Sequence, residues 1–221
     1  MYDIVFISYQ EPSADANYAT LKAKFPMAKR VHGVKGIHQA HIKAAKKCFT
    51  KMFWIVDGDA VVNNSFNFDY VVPEHQLDHV HVWRAKNPIN DLVYGYGGIK
   101  LFPRQLTIDM DTSKTDMSTS ISSKFIAVQE TSNTTVFNTD AFSAWRGAFR
   151  ECAKLASKTI QGQIDKETEQ RLETWCTVGE DRPYGSYAII GANAGREFGI
   201  SNRSNISLIN NFDWLAQQFN A

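Results

Sequence analysis

Phe53-Trp54-Ile55-Val56-Asp57-Gly58-Asp59-Ala60-Val61-Val62 is an apolar run broken only by two aspartates with a glycine between them. Such a run reads as a strand buried on both faces, the pattern of a sheet covered by helices on either side. An ionised carboxylate resists burial unless donors or a cation meet it. The pair therefore belongs at the strand's carboxyl end, where open α/β sheets bind ligands. Gly58 lets the backbone turn sharply, so Asp57 and Asp59 can aim at the same crevice. Hard oxygen donors suit Mg²⁺ or Mn²⁺, ions that keep few protein ligands and complete their shell with substrate phosphate. A solvated Asp-Gly turn after a strand is the alternative, because so short a motif recurs by chance.

Upstream, Gly36 to Phe49 places Ile37, Ala40, His41, Ala44, Ala45 and Cys48 at helical spacing, with lysines on the other side. Asp3 to Tyr9 is a short apolar strand that breaks at Gln10-Glu11-Pro12-Ser13, and Ala16 to Phe25 follows as a helix. Strand, helix, link, helix, strand is the opening of a parallel, right-handed α/β sheet. Downstream, Asn63 to Asp69 reads as a loop and His79 to Arg84 alternates like a strand. Val93-Tyr94-Gly95-Tyr96-Gly97-Gly98-Ile99 leads three glycines into another apolar strand, which demands a tight turn or a close approach. Gln105 to Thr135 is rich in Ser, Thr and Asp and reads as a long polar loop around a short strand, Lys124 to Val128. Val136 to Ser157 returns to helical spacing, with Asn138 or Thr139 as its cap, and Ile160 to Trp175 forms a further amphipathic helix.

Composition narrows the function classes. The chain of 221 residues carries a net charge of +1, without the global basic excess of a nonspecific nucleic-acid binder, although a local basic face is compatible with it. No apolar span reaches membrane length, and Met1-Tyr2-Asp3 opens directly into a strand, so neither a signal peptide nor a transmembrane helix is expected. Cys48, Cys152 and Cys176 are odd in number and widely spaced, which predicts reduced, buried thiols in a cytoplasm. His38 and His41, three apart on a helix, lack a third ligand at metal-site spacing and are expected to pack or face solvent.

Ile4 to Tyr9, Lys35-Gly36-Ile37 leading into an Ala-rich helix, and Phe53 to Val62 together resemble the nucleotide-sugar half of a GT-A type glycosyltransferase. More narrowly, Phe6 to Tyr18, Arg30 to Ile37 and Trp54 to Ala60 are similar to small glycosyltransferase-like proteins of large tailed phages. The resemblance implies an α/β fold: a single Rossmann-like domain with a mixed, mainly parallel sheet flanked by helices and a small helical acceptor lobe. Residues 1–104 would form the nucleotide-sugar half, and residues 105–221 the acceptor-binding and C-terminal part. It further implies that the first strand and its loop hold the nucleotide, while the Asp-X-Asp pair holds a divalent ion on the donor diphosphate.

On that resemblance Ser8, Tyr9 and Glu11 touch base or ribose, although Pro12-Ser13 could simply cap the next helix. Lys29, Arg30 and Lys35 form a basic patch that could meet the diphosphate or be solvated. Gly97, Gly98 and Tyr96 would lie beside the donor sugar and acceptor; a plain hairpin is the alternative. Glu180-Asp181 resembles the Glu-Asp pair of inverting enzymes, in which one carboxylate takes the acceptor's proton, though it also suits a helix start before Pro183. Arg196 and Arg203 are further diphosphate candidates. No histidine follows His81, so the C-terminal histidine that commonly supplies the family's third metal ligand has no counterpart.

The function implied is transfer of a sugar from a nucleoside-diphosphate sugar, a UDP-sugar above all, to an acceptor hydroxyl with Mn²⁺ or Mg²⁺. The expected acceptor is a hydroxymethylated pyrimidine in phage DNA within the host cytoplasm. Arg146, Arg150 and Lys154 could track phosphates or simply be solvated, and Trp83, otherwise a core edge, or Trp145 could meet a flipped base. Inversion and retention both remain open. A glycan or protein acceptor is one alternative, and a non-catalytic sugar- or nucleic-acid-binding module another. A nucleotidyltransferase would need a Gly-rich phosphate loop where Gln10-Glu11-Pro12-Ser13 stands.

Overall fold

Met52 to Val56 are fully buried and alternate between two cores, as a strand covered on both faces requires. The computed structural model describes residues 1–158 and 163–221 and divides the chain into two units. The first unit comprises Met1–Lys86 and Val93–Val136, and the second Asn87–Leu92 and Phe137–Ala221.

The first unit runs β1 (Asp3–Ser8), α1 (Ala14–Lys24), β2 (Lys29–His32), α2 (Ile37–Lys46), β3 (Met52–Asp57), β4 (Ala60–Val62), β5 (Val80–Lys86), β6 (Val93–Tyr94), β7 (Ile99–Pro103), α3 (Arg104–Ile108), α4 (Met117–Ile121) and β8 (Phe125–Thr135). The strand order is β2-β1-β3-β7-β5-β8-β4, with β6 paired to β5. On one face Trp54 and Val56 join Ile4 and Phe6 of β1, covered by α1 and by Phe66 and Phe68 of the loop after β4. On the other, Phe53 and Ile55 meet Ala44, Ala45 and Cys48 of the α2 segment, with Met110 and Met117 beyond.

The sheet is mixed, as the resemblance implies, but it is not mainly parallel. β1 pairs parallel with β2 and β3, and β5 with β8. The β3–β7, β5–β7, β5–β6 and β4–β8 pairings are antiparallel. Only the first two connections contain crossover helices. Beyond β3 the connections carry only short helical pieces, a 3₁₀ turn over Glu74–Gln76 and the five-residue α3 and α4, and antiparallel neighbours need no helical crossover.

The expected polar loop over Gln105 to Thr135 is also corrected. It contains two short helices and the eleven-residue β8. Ser132, Asn133 and Thr135 of β8 are buried and polar, so no apolar alternation marked the strand. Their hydrogen bonds go to Arg84 O and to one another, as burial of polar groups requires.

The second unit is helical, with α5 (Ala141–Ser157), α6 (Asp165–Thr177), α7 (Gly185–Ser201), a 3₁₀ segment (Arg203–Asn210) and α8 (Phe212–Phe219). Asp140 caps α5 by accepting from Ser143 N at 2.8 Å, in place of the expected Asn138 or Thr139. Of the helix expected over Ile160 to Trp175, residues 160–162 lie outside the described residues. Trp145, Phe149, Ile206, Ile209 and Leu215 form this unit's core.

Burial holds the His41 imidazole down at about 4, with the Asp57 charge raising it only in part, and burial holds His81 at about 4 as well. Both stay neutral in the folded chain, whereas an unfolded imidazole protonates near 6.5. The histidine contribution to stability is therefore complete above pH 6.5 and falls as pH drops from 6.5 towards 4, by about 3 kcal/mol for each histidine at the limit, while protonation of Asp59, whose carboxyl is pushed up to about 7, works in the opposite sense over the same range. Urea denaturation at about pH 7 and about pH 4.5 should show this loss, and His41→Gln should flatten part of it. A loss between the two pH values as large in His41→Gln as in the native chain would contradict the burial argument for His41.

Candidate functional site

β1 and β3 end side by side, with Ile7 opposite Asp57. Their carboxyl ends open on the turn Asp57-Gly58-Asp59, where the chain reverses into β4. The Asp57 carboxylate accepts from Gly98 N at 3.0 Å and from Lys100 Nζ at 3.4 Å, while Asp57 N donates to Gly98 O at 2.9 Å. Gly98, at φ +80°, is thus bonded to Asp57 in both directions. A Cβ on Gly98 would lie 2.2 Å from the Asn133 side chain. Gly98→Ala is therefore expected to combine left-handed strain with a clash in the buried polar row, costing about 2–4 kcal/mol. Chemical denaturation would measure it, and a change below about 0.5 kcal/mol would contradict the close packing of Gly98 on Asn133.

Glu11 reaches the same turn from the loop after β1. Its Oε2 accepts from Tyr9 N at 2.7 Å, and a Cβ on Gly58 would sit 2.7 Å from that oxygen and 3.1 Å from Ser8 Cβ. A side chain on Gly58 would therefore displace the Glu11 carboxylate, which fills the position its Cβ would take. Asn17 of α1 donates to Gly58 O at 3.0 Å and fixes the turn from the other side. Asp59 O accepts from Val136 N at 2.8 Å.

Glu11, Asp57 and Asp59 thereby lie about one turn, with Lys100 paired to Asp57. Burial pushes the Asp59 carboxyl up to about 7, and the Asp57 and Glu11 charges add to it, against a smaller pull from Lys100. Among the described residues, no group of three or more His, Cys, Asp or Glu is placed to hold a metal ion. The donor set fits an ion of the magnesium type, which takes one or two protein carboxylates and leaves the rest of its shell to water and phosphate.

Ser8, Tyr9, Glu11, Asp57, Asp59 and Gly98 all lie at this edge. Gly97 sits beside Thr135, whose Oγ1 would be 3.6 Å from a Cβ placed there. The buried Ser8 Oγ lies 2.9 Å from His32 Nδ1 and accepts from Arg30 Nε at 3.0 Å. Arg30 also pairs with Asp15 at 2.7 Å, and Lys29 with Asp3 at 2.6 Å, while Lys35 is exposed before α2. His38 and His41 are packing residues: His38 Nε2 lies 3.1 Å from Ser120 Oγ, and His41 Nδ1 lies 2.7 Å from Ile37 O.

Glu180, Asp181 and Arg196 belong to the second unit. Both carboxylates are exposed in the turn before α7, and Arg196 pairs with Glu169 at 3.1 Å. The expected phosphate-tracking face is engaged inside that unit. Arg150 donates to Ile209 O and Asn210 Oδ1, Arg146 lies over the Phe142 and Phe212 rings, and Lys154 pairs with Glu151. Trp83 is fully buried against Trp54 and donates to Glu130, which makes it a core residue.

Sequence reasoning passed over Lys100, Asn17 and Asn133. Lys100 carried a signal: it interrupts the apolar run Ile99-Lys100-Leu101 as Asp57 interrupts β3. Asn17 and Asn133 carried none, because nothing in a lone asparagine tells which backbone it will meet.

No family model matches the chain, and no curated protein does. Nine chains of solved structures match. One of these, the crystal structure of HddC from Yersinia pseudotuberculosis, is similar at a TM-score of 0.42 and 11% identity, covering 60% of this chain and 92% of that one.

Proposed function

We propose that this chain is a metal-dependent glycosyltransferase that takes its sugar from a nucleoside-diphosphate sugar. The observation that carries the reading is the meeting of Asp57, Asp59 and Glu11 on one glycine turn at the carboxyl ends of parallel strands. The Asp57 and Glu11 charges raise the cost of ionising Asp59 unless a cation joins them. Asp57 and Asp59 are the residues that would hold Mn²⁺ or Mg²⁺, which would neutralise charge on the leaving diphosphate.

The chain's own groups do the rest. Gly98 N–H and Lys100 orient the Asp57 carboxylate, and Asn17 fixes the turn so that Asp59 keeps its position. Ser8 and His32 offer polar atoms beside β1 for the nucleoside. Asp181 or Glu180, both exposed, would accept the acceptor's hydroxyl proton if the anomeric centre inverts. The acceptor we propose is a hydroxymethylated pyrimidine in DNA, on the phage-like resemblance alone.

The test is thermal unfolding against a panel of nucleoside diphosphates and nucleotide sugars, with Mn²⁺ or with chelator. A ligand bound only by the folded state stabilises it by about 2.7 kcal/mol at a hundredfold excess over its Kd. One UDP-sugar should shift the transition, and only with the metal. No shift from any donor would favour a binding module, and a shift unaffected by chelator would remove the metal from the proposal.

A further inference from the structure

Residues 16 to 56 contain nine lysines and arginines and not one aspartate or glutamate, in a chain whose net charge is only +1. The rest of the sequence is therefore acidic, and the balance conceals one strongly cationic segment. β1, β2 and β3 are parallel, with α1 and α2 as their crossovers. The last turns of both helices and the first residues of the strands therefore meet at one edge of the sheet. It is the edge opposite Glu11, Asp57 and Asp59. Lys43 and Lys46 close α2, and Lys47 and Lys51 follow before β3. Cations in a last helical turn complement the helix dipole, which is reason enough for the first two. Lys47 caps the same helix and its Nζ lies 3.4 Å from Arg30 O, but neither fact explains Lys51 or the side chains that stand among these lysines.

Phe49 is 88% exposed and Met27 84%. Lys29 Nζ lies 4.7 Å from the centre of the Phe49 ring and donates to Lys47 O at 2.8 Å, so the ring projects among the lysines. Phe49 N donates to Asp3 at 2.7 Å, and Lys29 pairs in register with Val5, which brings Met27 to the same edge. Lys43, Lys46 and Lys51 are exposed without a carboxylate partner among the described residues.

We infer that this edge docks on an anionic lipid surface, with Phe49 and Met27 at headgroup depth and Lys43, Lys46, Lys47 and Lys51 facing lipid phosphates. Nucleic acid offers phosphates that lysine also meets, but its partners add arginine forks and backbone N–H groups at helix N-termini. Here the helices present their carbonyl ends. The segment's one arginine, Arg30, is already held by Asp15 and Ser8. Lysines act on a membrane as point charges without fixed geometry, and projecting apolar side chains suit the headgroup boundary. The inference is independent of the transferase reading, and it needs no helix long enough to span a bilayer.

Sedimentation with vesicles tests it, using phosphatidylcholine alone or mixed equally with phosphatidylglycerol. The protein should pellet only with the anionic vesicles and be released by salt. Each lysine near such a surface strengthens binding roughly fivefold, so Lys46→Gln with Lys47→Gln should weaken it roughly 25-fold, and Phe49→Ser should weaken it further. These positions are exposed, and far-ultraviolet circular dichroism would confirm that the variants fold. Absence of pelleting, binding undiminished in the variants, or binding to duplex DNA in place of vesicles would each overturn the inference.

Discussion

Asp59→Asn is expected to abolish sugar transfer and the metal-dependent donor shift while raising the melting temperature measured in chelator. The two effects have one cause. Burial and the Asp57 and Glu11 charges hold the Asp59 carboxyl up at about 7, so its ionised form is disfavoured wherever no cation is bound. Asparagine keeps the shape and removes the repulsion, and the apo fold should gain stability. The same change removes an anionic oxygen that a divalent ion requires. Loss of several kcal/mol of charge stabilisation on the leaving group corresponds to about a thousandfold or more in rate. Differential scanning calorimetry and a single-turnover transfer assay would check both halves. A variant that transfers sugar at the native rate would remove Asp59 from the proposed mechanism. One that is inactive but also less stable would point to a structural role instead.

The second large effect belongs to the helical unit. Gly195→Ala should destabilise it by about 2 kcal/mol, although alanine favours a helix over glycine by about 1 kcal/mol. Gly191, Gly195 and Gly199 line the face of α7 that meets α5. Cβ atoms there would approach Trp145 O, Phe149 O and Ala153 O at 2.3, 2.2 and 2.5 Å. Backbone oxygens cannot swing aside as a side chain can, so relief would require the helices to separate, and the packing cost exceeds the propensity gain. Glu197→Ala on the exposed side of the same helix should change stability by less than about 0.5 kcal/mol. Unfolding curves of the two variants would decide the matter, and a Gly195→Ala protein as stable as the native chain would mean that the helices do not pack backbone to backbone.

The glycine spacing was present in the sequence, but Arg196 beside it drew the reading towards phosphate binding. In the fold Arg196 pairs with Glu169, and the glycines carry the structural role. Trp83 and Arg150 follow the same rule. A tryptophan at a strand edge and an arginine on a helix face look available for a ligand until their surroundings are known.

What the sequence determined by itself is local and periodic. The alternation through Phe53 to Val56, the α2 spacing from Ile37 to Cys48 and the break at Gln10 to Ser13 fix the opening strands and helices. The acidic pair marks the turn at the carboxyl end of β3. Each of these rests on burial or backbone preference acting within a few residues, which pattern can express. The antiparallel half of the sheet, the polar strand β8 and the bonds tying Asp57 to Gly98 and Lys100 were decided only in three dimensions. A buried Ser, Asn or Lys is tolerated because a distant segment supplies its hydrogen bonds, and no local pattern states which segment that will be.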